Sequence, residues 1–133
     1  MATVLIATPD TALYAIFAAE ISAEGHDLLW ALDGNEACTL TLSEQPQVVF
    51  LDVHMPGLSG IDAARGMAGR AEIVFVTAYE QYAVQAFEQG ALDYLVKPFD
   101  EARLADTVQR LQRRLAVTAP QVAPALPETL LDR

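Results

Sequence analysis

The sequence predicts an α/β protein, a doubly wound parallel sheet of (βα)5 form, on three observations. Five short apolar runs recur along the chain, helical patterns separate them, and the two kinds of segment alternate strictly. Strict alternation requires a parallel sheet with right-handed crossovers, which puts helices on both faces.

Each element has its own justification. VLIA at 4–7 is an apolar run cut off by Thr8-Pro9 and reads as the first strand. Leu13, Ile16, Phe17 and Ile21 recur at i, i+3, i+4 and i+8, one face of a helix over about 9–24 that Gly25 ends. Thr8-Pro9-Asp10 suits the start of that helix, with Thr8 as N-cap, Pro9 at the first helical position and Asp10 in the first turn. DLLWAL at 27–32 is the second strand, and Ala37 and Leu40 mark a helix closed by Gln45-Pro46. VVFLD at 48–52 and EIVFV at 72–76 are rich in Val, Ile and Phe and read as strands buried on both faces. Short, Ala-containing helices are expected at 58–69 and at 80–89, the latter stopped by Gly90. DYLV at 93–96 is the fifth strand, and Leu104, Val108, Leu111 and Leu115 give the last helix its apolar face.

Five such repeats predict the flavodoxin-like order 2-1-3-4-5, whose switch point lies between strands 1 and 3 and sets Thr8 beside Asp52. Residues 1–117 form one domain on this reading. Prolines at 120, 124 and 127 without periodicity make 118–133 a semi-rigid linker. LPET within it is similar to a cell-wall sorting signal, but Leu130 stands where that signal needs Gly.

Hydrophobic residues at 53% with 20% charged suit a compact domain. No apolar run approaches the ~20 residues that span a bilayer, and no basic-then-apolar leader opens the chain, so a cytoplasmic protein without membrane contact is expected. The lone Cys38, with only two His in the chain, supports neither an internal disulfide nor zinc and is expected to pack on a helix. The net charge is −10, and from Met1 to Ala64 there are nine Asp/Glu and no Lys or Arg. Such a surface repels phosphate backbones, which excludes nucleic-acid binding by this chain itself. Arg103, Arg110, Arg113 and Arg114 on the last helix read as a solvated face or as ion-pair partners.

In a sheet of this kind, chemistry sits past the carboxyl ends of the strands. Strand 3 ends at Asp52, beside a loop held by Pro56, Gly57 and Gly60; alone, an Asp there serves equally as a turn cap. Strand 4 ends in Thr77-Ala78, and strand 5 in Lys97-Pro98-Phe99, with Lys97 the only lysine of the chain. The trio suits an anion formed on Asp52: a phosphoryl group carries ~−1.5 to −2 charge and three strong acceptors. Lys97 would neutralise it, Thr77 would donate to it, and the Asp52 carboxylate would be the nucleophile of an acyl phosphate.

FLDVHMPGLSG, VTAYEQYAVQAFEQGALDYLVKPF and the whole βα order resemble the receiver domain of bacterial response regulators. TAYEQYAVQAFEQGALDYLVKPFD is more similar still to the receivers of LytR/AlgR-type regulators, in which a linker leads to a DNA-binding LytTR domain. The resemblance covers residues 3 to 116. It implies Asp52 as phosphoacceptor, Thr77 as switch hydroxyl, Tyr94 as switch aromatic, Lys97 as phosphate-binding lysine and the His54 backbone carbonyl as a metal ligand, with Met55 and Pro56 shaping that loop. It further implies a sensor histidine kinase or other regulatory protein as partner, DNA contact only through a domain outside this chain, and no enzyme activity beyond self-catalysed phosphoryl transfer to Asp52. Without the resemblance, Tyr94 reads equally as a buried strand aromatic, His54 as a surface residue, and Asp62 and Glu72 as solvated.

The chain departs from the family at strand 1. The family has two adjacent acidic residues there, which hold Mg²⁺ together with the phosphoacceptor; this sequence has Thr8-Pro9. Neither supplies an anionic oxygen, so Mg²⁺ is expected to bind weakly or not at all; Asp10 lies one residue too late to restore the pair in register, with an approach through a water as its alternative. Phosphorylation at Asp52 is then slow, or the domain is a phosphorylation-independent pseudo-receiver acting through partners. A flavodoxin-type FMN site lacks its Gly-rich loop after strand 1, and a dehalogenase-type phosphatase lacks its second Asp, since His54 stands there. A homodimer through residues 80–116 is expected, with Glu80, Glu88 and Asp93 opposing Arg103, Arg110 and Arg114.

Overall fold

The computed structural model describes residues 2–67, 69–79, 81 and 90–118. The elements are β1 (Thr3–Ala7), α1 (Thr11–Ser22), β2 (Asp27–Ala31), α2 (Gly34–Glu44), β3 (Val48–Asp52), α3 (Gly60–Gly66), β4 (Glu72–Thr77), β5 (Asp93–Val96) and α4 (Glu101–Thr118). The helix expected at 80–89 and the linker beyond Thr118 lie outside the described residues. The five strands are all parallel and ordered β2-β1-β3-β4-β5, as the alternation predicts.

Period-two alternation divides each central strand between two cores. Leu5, Ala7, Val49, Leu51, Ile73 and Phe75 face α2 and α3. Val4, Ile6, Val48, Phe50, Val74 and Val76 face α1 and α4, meeting Leu13, Phe17 and Ile21 from one helix and Leu104, Val108 and Leu111 from the other. Phe17 sits tilted against Phe50, ring centroids 4.8 Å apart, and stacks on Phe99 at 5.7 Å. Being covered on both faces, the strands read as continuous apolar runs in sequence.

Local chemistry sets the helix ends. Asp33 and Ser59 cap α2 and α3 by accepting the Glu36 and Asp62 N–H groups. Asp100 does the same for Arg103 at the start of α4, at 2.9 Å. At the end of α2, Gln45 takes a left-handed conformation (φ 51°) before Pro46, where the X-Pro signal placed the stop. The helix expected at 58–69 is shorter, running from Gly60 to Gly66. Gly60 is required by contact: a Cβ there would lie 2.2 Å from the backbone oxygen of Asp52. That close approach lets α3 start directly against the end of β3. Cys38 packs against the α2/α3 core, and burial pushes its thiol pKa up.

Candidate functional site

Asp52 ends β3 with 4% of its surface exposed. Its carboxylate is held by three donors. The Thr8 hydroxyl donates to Oδ2 at 2.8 Å, the Lys97 ammonium reaches the same oxygen at 3.2 Å, and the His54 backbone N–H donates to Oδ1 at 3.2 Å. Strand order explains the meeting of Thr8 and Asp52, since β1 and β3 are neighbours with Ala7 opposite Leu51. Lys97 arrives from two strands away, carried by the β4–β5 ladder, where its backbone N–H donates to the Thr77 carbonyl at 2.7 Å.

The helix start expected at Thr8-Pro9 needs correction. α1 begins at Thr11, and its cap is Asp10, whose Oδ1 accepts the Ala12 and Leu13 N–H groups at 3.0 and 3.2 Å. Thr8 is 1% exposed and fully engaged elsewhere: its N–H continues the ladder to Ala31, its carbonyl accepts the Trp30 indole N–H at 2.9 Å, and its hydroxyl turns to Asp52. The Thr8 hydroxyl oxygen accepts the Asp10 N–H at 3.1 Å, ahead of the helix, and the N–H groups of the first turn go to the Asp10 carboxylate instead.

Thr77 is fully buried at the end of β4, and its hydroxyl oxygen accepts the Tyr79 N–H at 3.2 Å. Of the predicted trio, Asp52 and Lys97 are in contact, while Thr77 adjoins Lys97 through the backbone. Tyr94 is buried on β5, and its hydroxyl donates to the Tyr79 carbonyl. Tyr79, itself half exposed, also meets the exposed His54 ring edge-on at 5.1 Å. Tyr79 thus joins the ends of β3, β4 and β5, a role whose only sequence signal is an aromatic two residues past Thr77. Among the described residues, no three His, Cys, Asp or Glu side chains gather into a metal-binding group.

A second polar cluster lies where β5 meets α4. Asp93 is 5% exposed and bonded within the chain: to Arg103 at 2.8 and 3.1 Å, to the Thr107 hydroxyl at 2.6 Å and to the Tyr94 N–H at 2.8 Å, with Arg110 at 3.5 Å. Arg103 also donates to the Tyr94 carbonyl at 2.9 Å. Burial pushes the Asp93 carboxyl up, but the bonds from Arg103, Thr107 and Tyr94 together outweigh it and leave the pKa below the ordinary value. The bond to Asp93 raises that of Arg103. The expectation that Asp93 presents its charge to a second copy is therefore overturned, because the fold consumes it. Glu72, expected to be solvated, is half-buried and lies 3.8 Å from Arg114, whereas Asp62 is exposed and pairs with Arg65 one turn on.

Residues 4–109 match the response regulator receiver domain. The chain belongs to that family. It is 57% identical over 72 residues to an uncharacterized response regulatory protein of Vibrio cholerae, covering 53% of this chain and 30% of the relative. It is 43% identical over 91 residues to the sensory transduction protein LytT of Oceanobacillus iheyensis, covering 65% and 37% respectively. The chain thus spans about a third of the length of these relatives. In fold it is similar to the response regulatory domain of protein mrkE from Klebsiella pneumoniae, with TM-score 0.82 and 26% identity over 87% of this chain and 99% of that one. It is also similar to response regulator TrrA of Thermotoga maritima, solved in complex with Mg²⁺-BeF, with TM-score 0.74 and 28% identity over 84% and 99%. Receiver domains are regulatory parts of two-component response regulators, interact with sensor histidine kinases and other regulatory proteins, and typically bind Mg²⁺ at an acidic pocket. No helix among the described residues is long and apolar enough to cross a membrane.

Proposed function

We propose that this chain is the signal-input domain of a transcription regulator, with Asp52 as a phosphoacceptor whose metal site is impaired. The observation that carries the proposal is the closed arrangement at Asp52: one carboxylate, with Oδ2 shared by the Thr8 hydroxyl and the Lys97 ammonium. In phosphoryl transfer, Asp52 would attack the phosphorus of a small donor, forming a bond to one carboxylate oxygen as the bond to the leaving group breaks. Lys97 would then neutralise charge on the transferred oxygens. Thr77 and Tyr94, tied together through Tyr79, are the pair expected to respond.

The donor set does not fit a tightly held Mg²⁺. That ion usually rests on one or two carboxylates with phosphate and water. Here Asp52 is the single carboxylate, Asp10 spends Oδ1 on the cap of α1, and the His54 carbonyl adds a neutral oxygen only. No step of the mechanism therefore runs through the ion. The name of the transcriptional regulatory protein BtsR of Escherichia coli, 50% identical over 72 residues, supports a transcriptional output. We assign that output to a LytTR-type DNA-binding domain outside this chain, reached through residues 118–133. Self-association through residues 80–116 belongs to the same proposal. With Asp93 spent within the fold, the described part of this face offers the exposed arginines Arg110, Arg113 and Arg114 beside the exposed acidic side chains of Glu101 and Asp106.

Intact-mass measurement after incubation with acetyl phosphate, with and without Mg²⁺, tests the site. The expected result is little or no gain of one phosphoryl group, and little dependence on the ion. Rapid Mg²⁺-dependent gain would overturn the impaired-metal reading. If wild type stays unmodified, Thr8→Asp with Pro9→Asp should add Mg²⁺ binding. A folded double variant that binds the ion no better would favour a phosphorylation-independent pseudo-receiver controlled by a partner. That second reading draws on the engagement of both Asp52 carboxylate oxygens at rest.

A further inference from the structure

Thr8 is fully committed beside Asp52, and its four bonds run in different directions. Its hydroxyl oxygen accepts the Asp10 N–H at 3.1 Å, so the hydroxyl proton is the one given to Asp52 Oδ2 at 2.8 Å. Its N–H donates to the Ala31 carbonyl at the end of β2 at 2.9 Å, and its carbonyl accepts the Trp30 indole N–H at 2.9 Å. The Trp30 ring in turn stacks on Tyr14 of α1, with centroids 4.2 Å apart and planes 10° apart. Asp10, on the other branch, caps the same helix. A buried carboxylate on β3 is thereby linked through one residue to both the first turn of α1 and an aromatic pair at the β2 edge of the sheet.

From this geometry we infer that Thr8 is a positioning residue that couples the state of Asp52 to the α1/β2 edge, a route separate from Thr77 and Tyr94. The physical basis is the hydroxyl proton. While Oδ2 is an anionic acceptor, the proton is directed at it, which leaves the Thr8 lone pairs to the Asp10 N–H. Once Oδ2 no longer accepts, the hydroxyl rotates, the Asp10 N–H loses a defined partner, and the Thr8 carbonyl that holds Trp30 shifts with the backbone between them. Asp and Glu carry no hydroxyl donor at this position, so a Thr supplies in this chain a bond that an acidic pair cannot. The inference deepens the proposed function by naming a route of regulation, and rests on Asp52 being the group whose state changes.

Trp30 is the sole tryptophan, which makes its indole N–H a single resolved probe in a ¹H–¹⁵N spectrum. The test is a double-mutant cycle on the full chain, without metal or phosphodonor, using Asp52→Ala and Thr8→Val. Asp52→Ala is expected to move the Trp30 indole resonance by more than its linewidth, although β1 separates the two residues in the sheet. In the Thr8→Val background the same change should leave it in place, and Thr8→Ser should restore the response because it keeps the hydroxyl. An indole shift of equal size with and without the hydroxyl would overturn the inference, as would no shift in wild type. Where Asp52→Ala fails to fold, Asp52→Leu, which has nearly the same shape and likewise offers no acceptor, serves in the same cycle and is read in the same way. Failure of the phosphorylation test leaves this result unaffected, because no phosphoryl group enters it.

Discussion

Asp93→Ala is expected to destabilise the domain by about 2–4 kcal/mol. Hydrogen bonds to a charged group contribute roughly 1.5–3 kcal/mol each, and a buried group left without its partner adds a desolvation cost. Asp93 accepts from Arg103, Thr107 and the Tyr94 N–H, which would suggest a larger sum. The sum is reduced because Arg103 is 38% exposed and can return to water, and Thr107 still has the Arg103 carbonyl at 3.4 Å. Urea unfolding of wild type and variant at neutral pH gives the difference directly. The pH dependence supplies a second check. The folded pKa of Asp93 lies below its ordinary value, so its contribution is fully present above the ordinary carboxylate range and is lost as pH falls through the lowered folded value. The wild-type advantage over Asp93→Ala should therefore shrink in acid. A variant within about 0.5 kcal/mol of wild type at pH 7, the range of an ordinary surface substitution, or an advantage that does not shrink in acid, would refute the view that this cluster clamps β5 to α4. The clamp matters for the site because Lys97 leaves β5 four residues after Asp93.

Removing Lys97 as Lys97→Ala leaves the Asp52 charge with only the Thr8 hydroxyl and the His54 N–H; with the lysine partly exposed, we expect a loss of about 1–2 kcal/mol in urea unfolding, abolished in the Asp52→Ala background. Gly60→Ala drives a methyl into the Asp52 backbone, so its cost should be about 3 kcal/mol, against roughly 1 kcal/mol for Gly25→Ala, where only the positive φ is at stake; equal losses would contradict the close contact of α3 with β3. Charge reversal as Arg113→Glu with Arg114→Glu should weaken any homodimer seen in sedimentation, and an unchanged dimer would place the interface off this face.

The periodicity of apolar residues determined the five strands and, among the described residues, the helices on either side, and the order 2-1-3-4-5 followed from the usual arrangement of five βα repeats. Burial of each central strand between two helical layers demands an apolar side chain at nearly every position, and a run such as VVFLD can satisfy that nowhere else. Asp52 and Lys97 were legible for the same reason: a charge that ends an apolar strand lies at the rim of the sheet, and a lysine side chain is long enough to reach Asp52 across the intervening β4. Three-dimensional contact decided what the linear pattern left open. The predicted strand order already set Thr8 beside Asp52, but its local signature is that of a helix cap; contact gives its proton to the Asp52 carboxylate, 44 residues away in sequence, and its lone pairs to the Asp10 N–H, while Asp10 caps α1. Asp93 has the pattern of a surface charge, and only the packing of α4 brings Arg103 and Thr107 over it so that it can be buried with its charge balanced. Tyr79 is one more aromatic in the sequence until the ends of β4 and β5 converge on it. In each case the local propensity is worth about 1 kcal/mol or less, whereas an unpaired buried charge costs several, so tertiary pairing sets where these polar side chains point.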